Sequence, residues 1–224
     1  MGDDLTLECF LSLLDRAEAL IDKDYLFEER DGFEYSVKEI EREMETVDGF
    51  EEISSCHKCN ACLERSIFAE PILNPNPKIL FVSPMPEGTG IFSSSSNDYF
   101  MKWLTAIKLT RRDIALTTLI KCPVKEFTKE YADICKEHLR DEMNMLKPKT
   151  MVLLGQSVSS YMLRRSGDMD SVFRKRKFSV NSIPVFCTYS PLDLVRNRAL
   201  RVPIWEDLKF ISSFLREGDD KRSG

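Results

Sequence analysis

An α/β fold with a parallel sheet is predicted by two observations. Four short, nearly continuously apolar runs recur between residues 78 and 189, and segments with helical patterning separate them. Apolar runs of this length without alternation mark strands covered on both faces. Their alternation with helices puts a parallel sheet between helices on its two sides. The expected strands are 78–83 (KILFVS), 114–120 (IALTTLI), 150–155 (TMVLLG) and 184–189 (PVFCTY), each rich in β-branched or large apolar residues. Helices are expected at about 96–108, 129–146, 156–164 and 203–216, with the Ser96 hydroxyl capping the first. In sheets of this kind, binding sites form outside the carboxyl ends of the strands.

Charge divides the chain. Residues 1–55 carry 18 Asp and Glu against 5 Lys and Arg, a net −13, and residues 56–224 carry 27 Lys and Arg against 19 Asp and Glu, a net +8. The acidic segment reads as a helical arm, because Leu7, Phe10, Leu11, Leu14 and Ala17 line one helix face and a second helix fits 37–46. It either packs on the body with its acidic face in water or mimics phosphates over a basic groove. A protein partner could engage it. The expected organisation is an arm over 1–52, one domain over 53–217 and a flexible tail over 218–224. No apolar run approaches the ~20 residues of a membrane-spanning helix, so a soluble protein without membrane contact is expected. A monomer is expected as well.

Cysteine spacing carries the chemistry. Cys56 and Cys59 form a CxxC hook, and Cys122 and Cys135 lie far downstream. Four thiolates suit an iron–sulfur cluster or zinc, both of which accept soft sulfur ligands. Cys62 stands three residues beyond Cys59 and competes as a ligand. Cys9, in a helical apolar pattern, and Cys187, in a strand, read as small core residues. Seven cysteines is an odd number, and the first residues do not resemble a signal peptide. A reduced, cytoplasmic setting is therefore expected in place of a disulfide framework.

From about Ile53 to Leu215 the residues resemble the iron–sulfur (family 4) uracil-DNA glycosylases. The resemblance rests on CHKCNACLERS, KILFVSPMPEG, LTTLIKCP, KPKTMVLLGQSVSSYML, IPVFCTYSPLDLVRN and IWEDLKFI, in that order. It implies a three-layer α/β/α sandwich with a central four-stranded parallel sheet. It also implies a [4Fe-4S] cluster on Cys56, Cys59, Cys122 and Cys135, with zinc as the alternative. The segment between Cys122 and Cys135 is shorter than the family pattern and lacks its Pro-rich, Asn-Arg stretch.

The positions matched to the family's catalytic residues differ. Ser83 and Pro84 stand where the family has glycine and a carboxylate; proline has no titratable group and no N–H. Thr118 replaces the asparagine that reads uracil, and one hydroxyl cannot reproduce an amide's paired donor and acceptor. Ser190 replaces the histidine that stabilises charge on the departing base. Phe92 stands where the family stacks an aromatic ring on the flipped base, the plain alternative being a loop anchor. Glu87, Asp98 and Ser190 are the candidate catalytic residues, and Phe92, Thr118 and Ser83 the candidate base contacts. Arg174, Arg176, Arg196 and Arg198, among the basic residues around the last strand, are candidate phosphate contacts; the alternative is a solvated basic surface.

Three functions follow for comparison. The first is a superfamily protein that binds single-stranded or damaged DNA, or a flipped base, with uracil excision weak or lost. The second is an active hydrolase of base-excision DNA repair using relocated residues. The third is a protein-interaction module without catalysis.

Overall fold

A computed structural model describes residues 53–65 and 68–220 of the chain. They lie in the second of two compact units, residues 46–224. The arm expected over 1–52, with Cys9, lies outside the described residues.

The sheet has six strands in the order β1-β3-β2-β4-β6-β5. They are β1 (Ile72–Leu73), β2 (Ile79–Ser83), β3 (Ile114–Thr118), β4 (Met151–Leu154), β5 (Phe178–Val180) and β6 (Ile183–Thr188). The four expected strands form the parallel centre, with Phe81 opposite Leu116 and Val152, and Val152 opposite Phe186. The edges β1 and β5 are antiparallel. The expected patterning missed both because two or three residues carry no readable period. Asn181 and Ser182, both at positive φ, make the two-residue turn from β5 to β6, the conformation that tight hairpins favour.

Strand alternation sorts the apolar side chains into two layers. Ile79, Phe81, Ile114, Leu116, Val152, Leu154 and Phe186 face one way. Leu80, Val82, Ala115, Met151, Leu153, Val185 and Cys187 face the other. Successive side chains point to opposite faces, so a continuously apolar strand needs a helical layer on each side. On the first face pack α2 (Ser94–Ala106), α5 (Pro191–Arg196) and α6 (Arg201–Asp220), and on the second α3 (Lys129–Leu146) and α4 (Gln156–Leu163). A short α1 (Asn60–Glu64) carries part of the cysteine segment. This is the three-layer sandwich that the sequence predicts. Cys187 is a core residue, and burial pushes its thiol up to about 12.

Three local expectations need correction. The N-cap of α2 is Ser93, whose Oγ accepts from the Ser96 backbone N–H; Ser96 is buried inside the first turn. Strand β3 ends at Thr118, although the N–H groups of Leu119 and Ile120 still donate to the carbonyls of Ser83 and Pro84. Pro84 has no N–H to return, so the ladder stops there. Helix α6 continues through Asp220, taking in residues 218–220 of the expected tail. Among the described residues no helix is long and apolar enough to cross a membrane.

Candidate functional site

The carboxyl ends of β3, β2, β4 and β6 present Thr118, Ser83, Gly155 and Ser190 along one edge of the sheet. Thr118 and Ser83 are register partners, both buried. Neither hydroxyl has a protein hydrogen-bond partner among the described residues. The Gly155 N–H donates to the Thr188 carbonyl at 2.7 Å, with φ at +96°. That left-handed φ favours glycine, and its open side faces Ser190 and Asp193.

Ser190 is committed to local structure. Its Oγ donates to Asp193 Oδ2 at 2.8 Å and accepts from the Asp193 N–H at 3.1 Å, while the Ser190 N–H also donates to Asp193 Oδ2. This capping box starts α5, with Pro191 in the first turn. Asp193 is therefore a strand-end carboxylate that sequence reasoning missed, and the readable signal was the Ser-x-x-Asp spacing of SPLD.

Glu87 is also engaged. Its Oε2 accepts from the Ser93 N–H (3.1 Å), Ser93 Oγ (2.9 Å) and Ser96 Oγ (2.6 Å). A carboxylate at a helix start gains from the unpaired N–H groups there, so Glu87 braces the entry to α2. Asp98 is exposed on α2 and has no hydrogen-bond or ion-pair partner among the described residues. Phe92 is half-buried with its ring 5.1 Å from Phe100 at a tilt of 53°, against the apolar layer beneath α2. That contact anchors the loop.

The four arginines separate into two kinds. Arg174 is buried: Nε donates to Asp207 Oδ2 (2.7 Å), Nη2 to the Pro203 carbonyl (2.8 Å) and Nη1 to Asp170. Its guanidinium also lies 5.6 Å from the Tyr189 ring. Asp207 takes a further bond from Thr188 Oγ1 at 2.8 Å, leaving Oδ1 unpartnered, and burial pushes its pKa up. Arg174 thus ties α6 to the end of β6 and has no free face for a phosphate. Arg176, Arg196 and Arg198 are exposed, although Arg176 Nη2 donates to the Ser171 carbonyl. Arg196 and Arg198 follow Ser190 at the strand-end edge.

A second group gathers the cysteines. Cys59 N-caps α1, Cys122 follows β3, and Cys135 lies on α3. Cys62 Sγ is 3.4 Å from Cys59 Sγ, 3.6 Å from Cys122 Sγ and 3.7 Å from Cys56 Sγ. Burial, then hydrogen bonds with its sulfur neighbours, raise the Cys62 thiol. His138 Nε2 lies 3.3 Å from Cys56 Sγ, and Arg65 Nη1 lies 3.4 Å from Cys122 Sγ. Burial raises the Cys135 thiol, and Cys59 and Cys122 add to that rise. As they stand, no three or more His, Cys, Asp or Glu among the described residues form a metal-ion site. The donor set nevertheless fits an iron–sulfur centre: soft thiols converge from three segments, with a guanidinium beside one of them.

Beneath the cysteines lies a closed ionic network. Lys121 Nζ donates to both Glu142 oxygens (2.7 and 2.6 Å) and to Thr117 Oγ1 (2.7 Å), and Thr117 Oγ1 donates to Glu142 Oε1 at 3.1 Å. Both ionic side chains are buried, and burial pushes the Lys121 pKa down while Glu142 opposes it. The network links β3, the residue before Cys122 and α3, so it holds Cys122 against the helix of Cys135. A groove of about 990 Å³ between α3 and α4, lined in part by Phe127, Lys136, Arg140 and Tyr161, contains none of the candidate residues.

The family model described as "Uracil DNA glycosylase superfamily" matches residues 70–209. The chain is 27% identical over 177 residues to the type-4 uracil-DNA glycosylase of Sulfurisphaera tokodaii, covering 72% of this chain and 80% of that one. It is 25% identical over 129 residues to the type-4 uracil-DNA glycosylase of Archaeoglobus fulgidus, covering 53% and 64%. A DNA polymerase III subunit alpha of Yersinia pestis is 27% identical over 129 residues, 54% of this chain but 11% of that protein. With the family model spanning more than half of its length, the chain belongs to the uracil DNA glycosylase superfamily.

Proposed function

We propose that this protein binds single-stranded or damaged DNA and accepts a flipped base at the strand ends, with uracil excision weak or lost. The observation that carries the reading is the chemistry of that edge. Pro84, Thr118 and Ser190 occupy the positions where the family resemblance implies a carboxylate, an amide and an imidazole. Glu87, the nearest acid in the loop, spends one oxygen on three hydrogen bonds that brace α2. Cleaving an N-glycosidic bond needs charge stabilised on the departing base and on the sugar. Ser83 and Thr118 supply hydroxyls without partners, which can hold the polar edge of a base but provide no stabilising charge. Arg196 and Arg198 stand ready for phosphates at the same edge.

The cysteine group is read as the seat of a [4Fe-4S] cluster. Cys56, Cys59 and Cys122 are three of its ligands, and the family resemblance assigns the fourth to Cys135. When bound, such a group supplies a structural pin between three chain segments and no step of base excision.

Single-turnover uracil release from single- and double-stranded DNA by the iron-loaded full chain tests the reading, together with binding to the same DNA. Salt-sensitive binding with no uracil release is expected. Robust release would overturn it. Asp98 is exposed and unbonded, so loss of that release in Asp98→Asn would identify it as a relocated acid. DNA binding that is absent at low salt would remove the nucleic-acid reading altogether.

A further inference from the structure

We propose that the outer face of α6 around Trp205 is a stacking site for an unpaired nucleobase. The proposal rests on the reading that the protein binds single-stranded DNA, and it adds a second place at which that DNA is held.

Exposed apolar side chains are concentrated on this part of the chain. Among the described residues the large hydrophobics left exposed are Leu63, Val195, Val202, Trp205 and Phe210, and four of these five fall between 195 and 210. Single exposed hydrophobics are ordinary, whereas neighbouring ones mark a surface that meets something. Helix α6 turns Ile204, Asp207, Leu208 and Ile211 inward, all of them buried. Val202, Trp205 and Lys209 follow one another at three and four residues, so they line the outer face together. Neither Val202 nor Trp205 belongs to an apolar cluster among the described residues. The chain has two tryptophans, and they differ sharply. Trp103 is 6% exposed and packs against Phe100, while Trp205 is 43% exposed. An indole left in water contributes little of its large apolar surface to the fold.

The charge around the ring selects the occupant. Lys209 Nζ lies 5.6 Å from the centre of the Trp205 ring. Glu206 and Asp207 are the only acids between 196 and 216. Glu206 is paired with Lys175 at 2.7 Å, and Asp207 with Arg174 at 2.7 Å. Arg196, Arg198 and Lys209 have no carboxylate partner among the described residues. A flat apolar ring among unpaired cations is the combination that holds single-stranded nucleic acid, because bases stack on the ring and phosphates meet the cations. An apolar protein segment would use the ring but leave the cations facing carbon.

The position of the ring suits the same DNA. On the inner side of these turns, Arg174 bonds both the Pro203 carbonyl and Asp207, and Asp207 accepts from Thr188 Oγ1 at the carboxyl end of β6. The first turns of α6 are thereby fixed beside the edge that presents Ser190. Arg198 lies in the turn that leads into α6, about two helical turns before Trp205. DNA whose phosphates meet Arg196 and Arg198 has the indole next along the same surface.

The test titrates the full chain with a labelled oligothymidylate, a single strand without uracil. Trp205→Ala is expected to weaken binding about tenfold or more. The slope of log affinity against log salt should stay unchanged, because stacking neutralises no phosphate. Trp205→Phe, which keeps a ring, is expected to stay within about threefold of the unmodified protein. In the unmodified protein acrylamide reaches the exposed Trp205 and not the buried Trp103, and bound oligothymidylate is expected to remove that quenching. Unchanged affinity in Trp205→Ala, or acrylamide quenching that saturating DNA does not alter, overturns the proposal and leaves DNA binding standing. A flattened salt slope in Trp205→Ala overturns it too, as does a dimer in sedimentation that Trp205→Ala dissolves, which would assign the face to a second copy. If Trp205→Ala does not fold, the acrylamide result decides alone. No salt-sensitive binding by the unmodified protein removes the DNA reading itself, and the stacking site with it.

Discussion

Around the cysteines, four thiols and an imidazole come together above a buried ionic network in which every charged atom has a partner. At the strand ends, hydroxyls and a proline stand in the places of charged or amide groups, and both nearby carboxylates, Glu87 and Asp193, are tied to helix starts. One region holds more donors than a four-ligand centre needs. On the function proposed above, the other holds fewer than bond cleavage needs. Residues that join segments carry the stability of the fold, whereas a group at an open strand end can differ without cost to it. The same contrast divides the arginines, with Arg174 built into the fold and Arg196 and Arg198 left in solvent.

The largest effect is expected beneath the cysteines. Lys121→Met or Glu142→Gln removes one partner of a buried pair and should cost about 3–5 kcal/mol in denaturant unfolding. The double change Lys121→Met with Glu142→Leu should cost much less, because no charge is left uncompensated. Equal losses in the single and double variants would show that this region is held by packing and would weaken the contrast. Arg174→Met should behave like the single changes, since it leaves Asp207 buried and unpaired.

At the strand ends, the gain should come from adding groups. Uracil release should be at least about 10²–10³ slower than in Ser190→His combined with Thr118→Asn and Pro84→Glu, the scale of one preorganised stabilising group. Base affinity should recover before turnover. Single-turnover rates measure this, and no gain in the triple variant would mean that the pocket differs from the family in shape as well as in residues. Because Ser190 caps α5, Ser190→His should also lower stability by about 1 kcal/mol, which thermal melting can separate from catalysis.

Arg196→Ala and Arg198→Ala should each flatten the dependence of log affinity on log salt by about 0.7–0.9 for each phosphate that is no longer neutralised, with folding unchanged. If neither changes the slope, the exposed arginines of this edge are only a solvated surface. The smallest effect lies at the opposite, amino-terminal end of β3. Hydrogen bonds from Thr110, aided by Lys78, hold Asp113 at about 2, below its ordinary value of 3.8. A depressed carboxylate stabilises the fold above its unfolded pKa, and this contribution is lost as pH falls from about 4 towards 2. Asp113→Asn should therefore cost under about 1 kcal/mol at neutral pH, given its partial exposure, and nothing near pH 2. A loss that persists at pH 2 would assign the effect to the capping geometry instead of to charge.

Much of the architecture was readable from local pattern. Each parallel strand announced itself as a run apolar at consecutive positions, and helices 129–146 and 156–164 followed from spacing. The edge strands were not readable, because two or three residues carry no period and exist only through pairing with β3 and β6. In the site, cysteine spacing and the changed residues at 84, 118 and 190 were visible. The engagement of Glu87 and the Asp193 carboxylate were not foreseen, although SPLD held a capping signal.

Local pattern was enough for the two-faced parallel sheet, and composition for the scarcity of imidazole, with two histidines in the whole chain. These are properties of composition and short spacing, which local geometry turns directly into structure. Which charged and thiol groups are already taken emerges only when distant segments meet. Arg174 reads as one member of a basic cluster until Asp207, 33 residues away, closes on it. Cys62 reads as a spare thiol until Cys122, 60 residues away, lies against it. Burial and partnership depend on segments that meet only when the chain folds, and a side chain's chemistry follows from its partners as much as from its type.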